Sequence, residues 1–291
     1  MPVGPWVFID GVFQSHQKAR LSPFDRGFLF GHAAYEVIAV YGGQMIDCAA
    51  HLMRLERTLE GISIPMPAQE LEGLFLELMA RNQLSEGLIY LQVSGGSYGL
   101  RDFAGPDVLT PSLFAYCDRK ALITEPARTG AAAITLPDTR WARRDLKTTQ
   151  LLSQALAYRA AREAGATTAL MHEEGLITEA ASANAWIVSP DHQLITRDLS
   201  HSLLPGITRQ SLISLLEEMP LQFEERAFSI EEAKSASEIF TSSSGAMILP
   251  IIRLDGKLIA NGTPGPVTRA VQKAYYRYIG VDIDTQMAWL S

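Results

Sequence analysis

Two Asp-Gly pairs, one near each end of the chain, constrain its architecture more than any other feature. Val7-Phe8-Ile9-Asp10-Gly11-Val12-Phe13 sets the first between two short apolar runs, and Ile248 to Leu254, Asp255-Gly256 and Lys257 to Ala260 repeat the arrangement. Such a pair supplies the two positive-φ positions of a type I′ turn, whose twist suits antiparallel strands, so both ends are committed to hairpins. Further strand candidates follow from β-branched and aromatic runs: Tyr35 to Tyr41, Leu88 to Val93, Ser112 to Cys117, Thr168 to Met171, Leu176 to Thr178, Ala185 to Val188, Gln193 to Thr196 and Glu238 to Thr241. Helical spacing interrupts them. His51 to Glu60 carries leucines at 52, 55 and 59, and Pro67 to Asn82 carries Leu71, Leu74, Phe75 and Leu78 on one face. Leu151 to Gly165, Thr208 to Glu218 and Pro266 to Ile279 give three more helices, and Ser229-Ile230-Glu231-Glu232 has capping-box spacing. The mixture predicts an α+β fold. Lys120 to Thr129 contains Pro126 and no sustained apolar period, so the domains are expected at 1–120 (small, α/β) and 130–291 (larger, sheet-rich), with 121–129 as linker.

Composition narrows the class. With 291 residues, 47% hydrophobic and 20% charged, the chain can bury two cores and is not disordered. The formal net charge is -7 and no run of Lys or Arg stands out, which argues against nucleic-acid and membrane partners. No signal-peptide order opens the chain and no apolar run approaches a membrane span, so a cytoplasmic protein is expected. Cys48 and Cys117 lack a C-x-x-C partner and are expected as buried free thiols; the six histidines show no ligand spacing, and no metal is expected.

Gly95-Gly96-Ser97-Tyr98-Gly99 matches the nucleophile-elbow pattern, but Gly99, Gly105 and Pro106 break the helix that an elbow needs after its serine. No dinucleotide fingerprint or Walker lysine is present. Other stretches carry a different chemistry. Lys147 opens a helix pattern, and Glu179 lies in a small-residue loop before the apolar strand at Ala185. Leu204-Pro205-Gly206-Ile207-Thr208-Arg209 puts free amides at a helix start, where they can hold an anion. Thr241-Ser242-Ser243-Ser244-Gly245-Ala246 offers a second nest, and Arg54 a charge-assisted contact. Together these are the parts that pyridoxal 5′-phosphate requires: a lysine for the Schiff base, a carboxylate for the pyridine nitrogen, and donors for the phosphate.

At this point the chain resembles a family, the fold type IV (class IV) pyridoxal-phosphate aminotransferases. The resemblance runs through Phe24-Asp25-Arg26-Gly27-Phe28-Leu29-Phe30-Gly31, His51-Leu52-Met53-Arg54-Leu55, Asp145-Leu146-Lys147, Thr178-Glu179 to Asn184, Leu204 to Arg209 and Thr241 to Pro250, nearly the whole chain in order. It implies a two-domain fold with the cofactor between the domains, and a homodimer in which the Gly95 to Gly105 loop reaches the neighbouring site. It also implies roles: Lys147 as the Schiff-base lysine, Glu179 at the pyridine nitrogen, Arg54, Ile207, Thr208, Ser243 and Ser244 at the phosphate, and Leu204 near the ring. Tyr35 and Val37 would line the substrate pocket. The activity implied is ping-pong transfer of an amino group from an amino donor to a 2-oxo acid. Lys147-Thr148-Thr149-Gln150 is closer to the D-amino-acid enzymes than to the glycine-containing run of branched-chain members. Against that, Leu100 and Asp102 stand where the D-amino-acid prototype places Arg and His, and Arg101 beside them is the candidate for the substrate carboxylate. Branched-chain or R-amine transamination, aminodeoxychorismate lyase activity and non-catalytic phosphate-ligand binding are the alternatives.

Overall fold

The computed structural model describes residues 3–290, and the chain divides into two units. The first comprises the residues up to Leu122 together with Leu146–Leu151, a segment that the sequence places in the second domain. The second comprises Ile123–Asp145 and the residues from Leu152 onward.

In the first unit the Asp-Gly pair forms the turn expected of it, with Asp10 at φ 44 and Gly11 at φ 90, between β1 (Val3–Ile9) and β2 (Val12–Ser15). A short helix, α1 (Arg26–Phe30), leads into β3 (Ala33–Tyr41) and β4 (Gln44–Met45). Helices α2 (Cys48–Gly61) and α3 (Leu71–Asn82) follow, then β5 (Gly87–Ser94) and β6 (Ser112–Arg119). The six strands form an antiparallel sheet ordered β2-β1-β6-β5-β3-β4. Alternation along β3 sends Ala34, Ile38 and Val40 into a core with Leu55 and Leu59 of α2 and Leu74, Phe75 and Leu78 of α3. The opposite face carries Tyr90, Phe114 and Tyr116, whose rings pack 5.0 to 6.4 Å apart. Cys117 is buried and Cys48 half-buried, both as free thiols.

The second unit opens with α4 (Glu125–Thr129), where the sequence suggests a linker, followed by β7 (Ala131–Pro137). Its remaining elements are α5 (Leu152–Glu163), β8 (Thr168–Glu173), β9 (Leu176–Ala180), β10 (Asn184–Val188), β11 (Leu194–Thr196), α6 (Ile207–Leu216) and β12 (Phe223–Glu225). They end with α7 (Ile230–Ser235), β13 (Glu238–Ser243), β14 (Met247–Leu254), β15 (Lys257–Leu258), α8 (Pro266–Tyr278), α9 (Ile283–Gln286) and a 3-10 turn (Ala288–Leu290). The sheet runs β12-β11-β10-β13-β14-β7-β8-β9, with β15 on β14. Buried Gln272 of α8 donates to the Ala127 carbonyl (2.8 Å) and to that of Ile248 (3.1 Å), fastening α4 and β14 to one helix. The Glu238 carboxylate caps the start of α8, accepting from the amides of Val267 (2.9 Å) and Thr268 (2.7 Å). Among the described residues, no helix is long and apolar enough to cross a membrane, and no group of three or more His, Cys, Asp or Glu could hold a metal ion.

Candidate active site

Lys147 does not open a helix. Helix α5 starts at Leu152, and residues 147–149 lie against β3 through a bridge from Thr148 to Ala34: Tyr35 N donates to the Lys147 carbonyl and Thr149 N to that of Ala33, each at 3.0 Å. The reason lies in the sheet. Strand β4 pairs only with Val40 and Tyr41, which leaves the other end of that edge of β3 to be completed by this segment. Lys147 N also donates to Thr58 Oγ1 of α2 (3.3 Å), and Lys147 Nζ stands 4.2 Å from the centroid of the Tyr35 ring, a cation–π contact. Tyr35 in turn stacks on Tyr90 at 5.7 Å, and Val37 lies directly across from Tyr90 in the β3–β5 ladder.

Glu36 points the other way, into the helix-covered side, where no part of it is exposed. Arg54 of α2 grips it with Nε at 2.8 Å and Nη2 at 2.7 Å, and His51 Nδ1 lies 2.6 Å from the same carboxylate. Burial alone would raise the Glu36 carboxyl; the Arg54 charge, with the Arg54 and His51 hydrogen bonds, outweighs it and holds the group at about 2. Burial lowers His51 in spite of that carboxylate. Arg54 is therefore fixed in place by a group whose role the sequence does not announce. Its only advance signal is a lone carboxylate inside the β-branched run from Tyr35 to Tyr41.

Arg101 is not brought to Lys147 by any contact within this unit. Its guanidinium lies 5.4 Å from the Phe30 ring and 4.9 Å from that of Phe103. Buried Arg26 ties down the loop beyond it, donating to the carbonyls of Asp102 and Phe103 at 2.7 Å each and to His32 Nδ1 at 3.0 Å.

In the second unit Glu179 lies within β9 rather than in a loop, because β9 pairs with β8 through Ala180, setting Glu179 opposite Met171. The side chain is buried and takes Arg140 Nη1 on Oε1, Asn184 Nδ2 on Oε2 (3.1 Å) and the Leu204 amide on both oxygens (3.3 Å). Burial pushes this carboxyl up against the opposing pull of Arg140 and the Leu204 amide. Asn184 also donates to the Leu204 carbonyl (2.8 Å), so one amide side chain locks the carboxylate to the turn before α6. Gly206 ends that turn. A Cβ there would stand 2.0 Å from Asn184 Oδ1, so only glycine admits this approach. As the N-cap of α6, Gly206 gives no side-chain bond to the first-turn amides, which begin at Ile207 and Thr208. Asn184 pairs with Ser242 across β10 and β13, which puts Ser243 at the end of the neighbouring strand and Ser244 in the turn after it; Ser243 Oγ accepts from Ala246 N at 3.3 Å. Sequence motifs therefore locate Glu179, Leu204, Ile207, Thr208, Ser243 and Ser244 on neighbouring parts of one unit, and miss the parts played by Arg140 and Asn184.

Residues 33–254 match the family described as Amino-transferase class IV. The chain is 33% identical over 276 residues to the D-alanine aminotransferase of Staphylococcus aureus strain N315, covering 94% of this chain and 97% of that one. It is 34% identical over 270 residues to the D-alanine aminotransferase of Bacillus licheniformis, covering 92% and 95%. Among solved structures it resembles the branched-chain amino acid aminotransferase of Escherichia coli, with a TM-score of 0.87 at 23% identity over 98% of both chains. A hypothetical aminotransferase from Mycobacterium tuberculosis, in its PLP-bound form, gives a TM-score of 0.82 at 19% identity, covering 94% of this chain and 99% of that one.

Proposed function

This chain belongs to the class IV aminotransferases, whose cofactor is pyridoxal 5′-phosphate, and we propose that it transfers the amino group of a D-amino acid to a 2-oxo acid in a ping-pong cycle. The observation that carries the D-amino-acid assignment is the identity of 33% over 94% of the chain to a protein named for D-alanine. The likeness to branched-chain enzymes, at 23% identity, speaks for the fold alone.

The residues present suit the cofactor. Glu179 is a buried carboxylate whose charge burial opposes, and a protonated ring nitrogen would compensate that charge. The α6 amides have no side-chain cap, and a phosphate is an acceptor of the kind they lack. In this reading Glu179 holds the ring nitrogen, Leu204 packs near the ring, and Ile207, Thr208, Ser243, Ser244 and Arg54 hold the phosphate. When bound, the cofactor supplies an electron sink for the substrate Cα. Lys147 carries the cofactor and, once released, moves the proton at Cα; the Tyr35 ring under its Nζ keeps the amine in place. Tyr35 and Val37 flank the substrate, and Arg101 receives its carboxylate. The enzyme works in the cytoplasm as a homodimer with a shared active site, which the Gly95 to Gly105 loop completes for the neighbouring subunit. Support for that pairing comes from Phe28, Leu100 and Phe103, large apolar side chains exposed by 77%, 70% and 71%.

The test is a half-reaction panel read by the cofactor's absorbance: D-amino acids, L-branched-chain amino acids and R-amines, each without acceptor. Conversion with D-alanine at a rate well above that with L-leucine supports the assignment. The reverse order transfers the chain to branched-chain chemistry, and release of pyruvate from added aminodeoxychorismate, with no amination of the cofactor by any member of the panel, indicates a lyase.

A further inference from the structure

Behind Glu179 lies a buried charge cluster that the roles above do not use. Asp138 follows β7, its backbone amide extending the ladder to the His172 carbonyl (2.7 Å), and its carboxylate is wholly buried. Arg140 clamps it with Nε on Oδ1 (2.9 Å), Nη2 on Oδ2 (2.6 Å) and the backbone amide on Oδ1 (3.1 Å). Thr178, the residue before Glu179, donates to Oδ2 at 2.7 Å, and Arg144 Nε stands 3.5 Å from the same oxygen. The remaining nitrogen of the Arg140 fork, Nη1, reaches Glu179. Arg144 is turned mainly to Glu173, at 3.0 and 3.3 Å.

Two functions meet in this arrangement. The bidentate clamp fixes the plane of the guanidinium, so that Nη1 is aimed at one oxygen of Glu179 while Oε2 stays with Asn184 and the Leu204 amide. The clamp also offsets charge. An arginine facing Glu179 alone would form a closed pair with it, and the carboxylate would have little field left for a cation. With Asp138 bound to the same arginine, that positive charge is already compensated.

Resting on the assignment of Glu179 to the cofactor's ring nitrogen, we infer that Asp138 is a positioning residue: by neutralising and aiming Arg140, it leaves the Glu179 charge available to keep that nitrogen protonated. Removing the Asp138 charge leaves Arg140 uncompensated beside Glu179 and disfavours a proton on the ring. Restoring neutrality by also removing the Arg140 charge brings the proton back.

The experiment loads the enzyme with ring-¹⁵N-labelled cofactor and reads the nitrogen's chemical shift, with cofactor dissociation followed separately. Asp138→Asn is expected to move the shift toward that of the neutral ring and to weaken retention about tenfold. Asp138→Glu, which keeps the charge, is expected to retain the wild-type shift, and Asp138→Asn with Arg140→Gln to return toward it. A single variant that melts lower but keeps the wild-type shift overturns the inference, because Asp138 is then only structural. Should Asp138→Asn fail to fold, the double variant decides: a protonated nitrogen supports the proposal and a neutral one overturns it. Glu179→Gln is the control for the underlying reading. If it leaves the shift unchanged, Glu179 does not serve the ring nitrogen; if it moves the shift and Asp138→Asn does not, only the role of Asp138 falls.

Discussion

Replacing Glu36 by glutamine is the sharpest probe of the first unit. The carboxylate receives three donors, Arg54 Nε, Arg54 Nη2 and His51 Nδ1, all with little or no solvent. A glutamine amide has one oxygen and turns its NH2 toward the donors on the other side, so at least one buried donor loses its acceptor. Breaking a buried ion pair from one side costs about 3 to 5 kcal/mol, and the retained amide oxygen puts Glu36→Gln at the lower end. The carboxyl gives a similar figure: held at about 2 against an ordinary 4.5, it contributes about 3 kcal/mol at neutral pH. The pH dependence has a definite sign. A depressed carboxyl contributes fully above its unfolded value and loses that contribution as pH falls from about 4.5 toward about 2. Urea denaturation of cofactor-free protein should therefore separate wild type and Glu36→Gln by about 3 kcal/mol at pH 7, with a gap that narrows steadily below pH 4.5. A gap under about 1 kcal/mol at pH 7, or one that does not narrow in acid, refutes the assigned role of the triad.

Three other outcomes are expected. Lys147→Ala should give protein that loses its yellow colour on dialysis and transaminates at least about a hundredfold more slowly, measured as keto acid released without added amine. Gly206→Ala forces Asn184 away from a Cβ that would stand 2.0 Å from its Oδ1, so cofactor retention should fall about tenfold, read by equilibrium dialysis. Glu238→Ala strips the buried cap from the amides of Val267 and Thr268; a loss of about 1 to 2 kcal/mol in thermal or urea unfolding is expected, with cofactor affinity unchanged.

Legibility follows the range over which each signal acts. The Asp10-Gly11 turn and the Ser229–Glu232 capping box are set by adjacent residues, and both stand as their sequences predict. Strand β7 is hidden because Ala131-Ala132-Ala133 has no β-branched signature; its place between β14 and β8 makes it a strand. Lys147 misleads for the opposite reason. Its neighbours suit a helix start, but the open edge of β3, more than a hundred residues away in sequence, draws them into a bridge at Thr148. Motifs name the candidate site residues. The charges that hold them stay hidden, since neither the pairing of Glu36 with Arg54 nor that of Asp138, Arg140 and Glu179 leaves a local pattern.

The six residues Leu146–Leu151 group with the first unit although the chain on both sides of them belongs to the second. The covalent chain thus joins the units three times rather than once, and the protein cannot be dissected at Leu122. A fragment ending there would leave Tyr35 N and the Ala33 carbonyl without the partners that Lys147 and Thr149 provide. The complementary fragment would hold Lys147 on a tether with no strand to fix it. Complementation of two separately expressed halves should therefore succeed only with a break elsewhere, and a circular permutant opened within 146–151 should lose the lysine's placement before it loses either core.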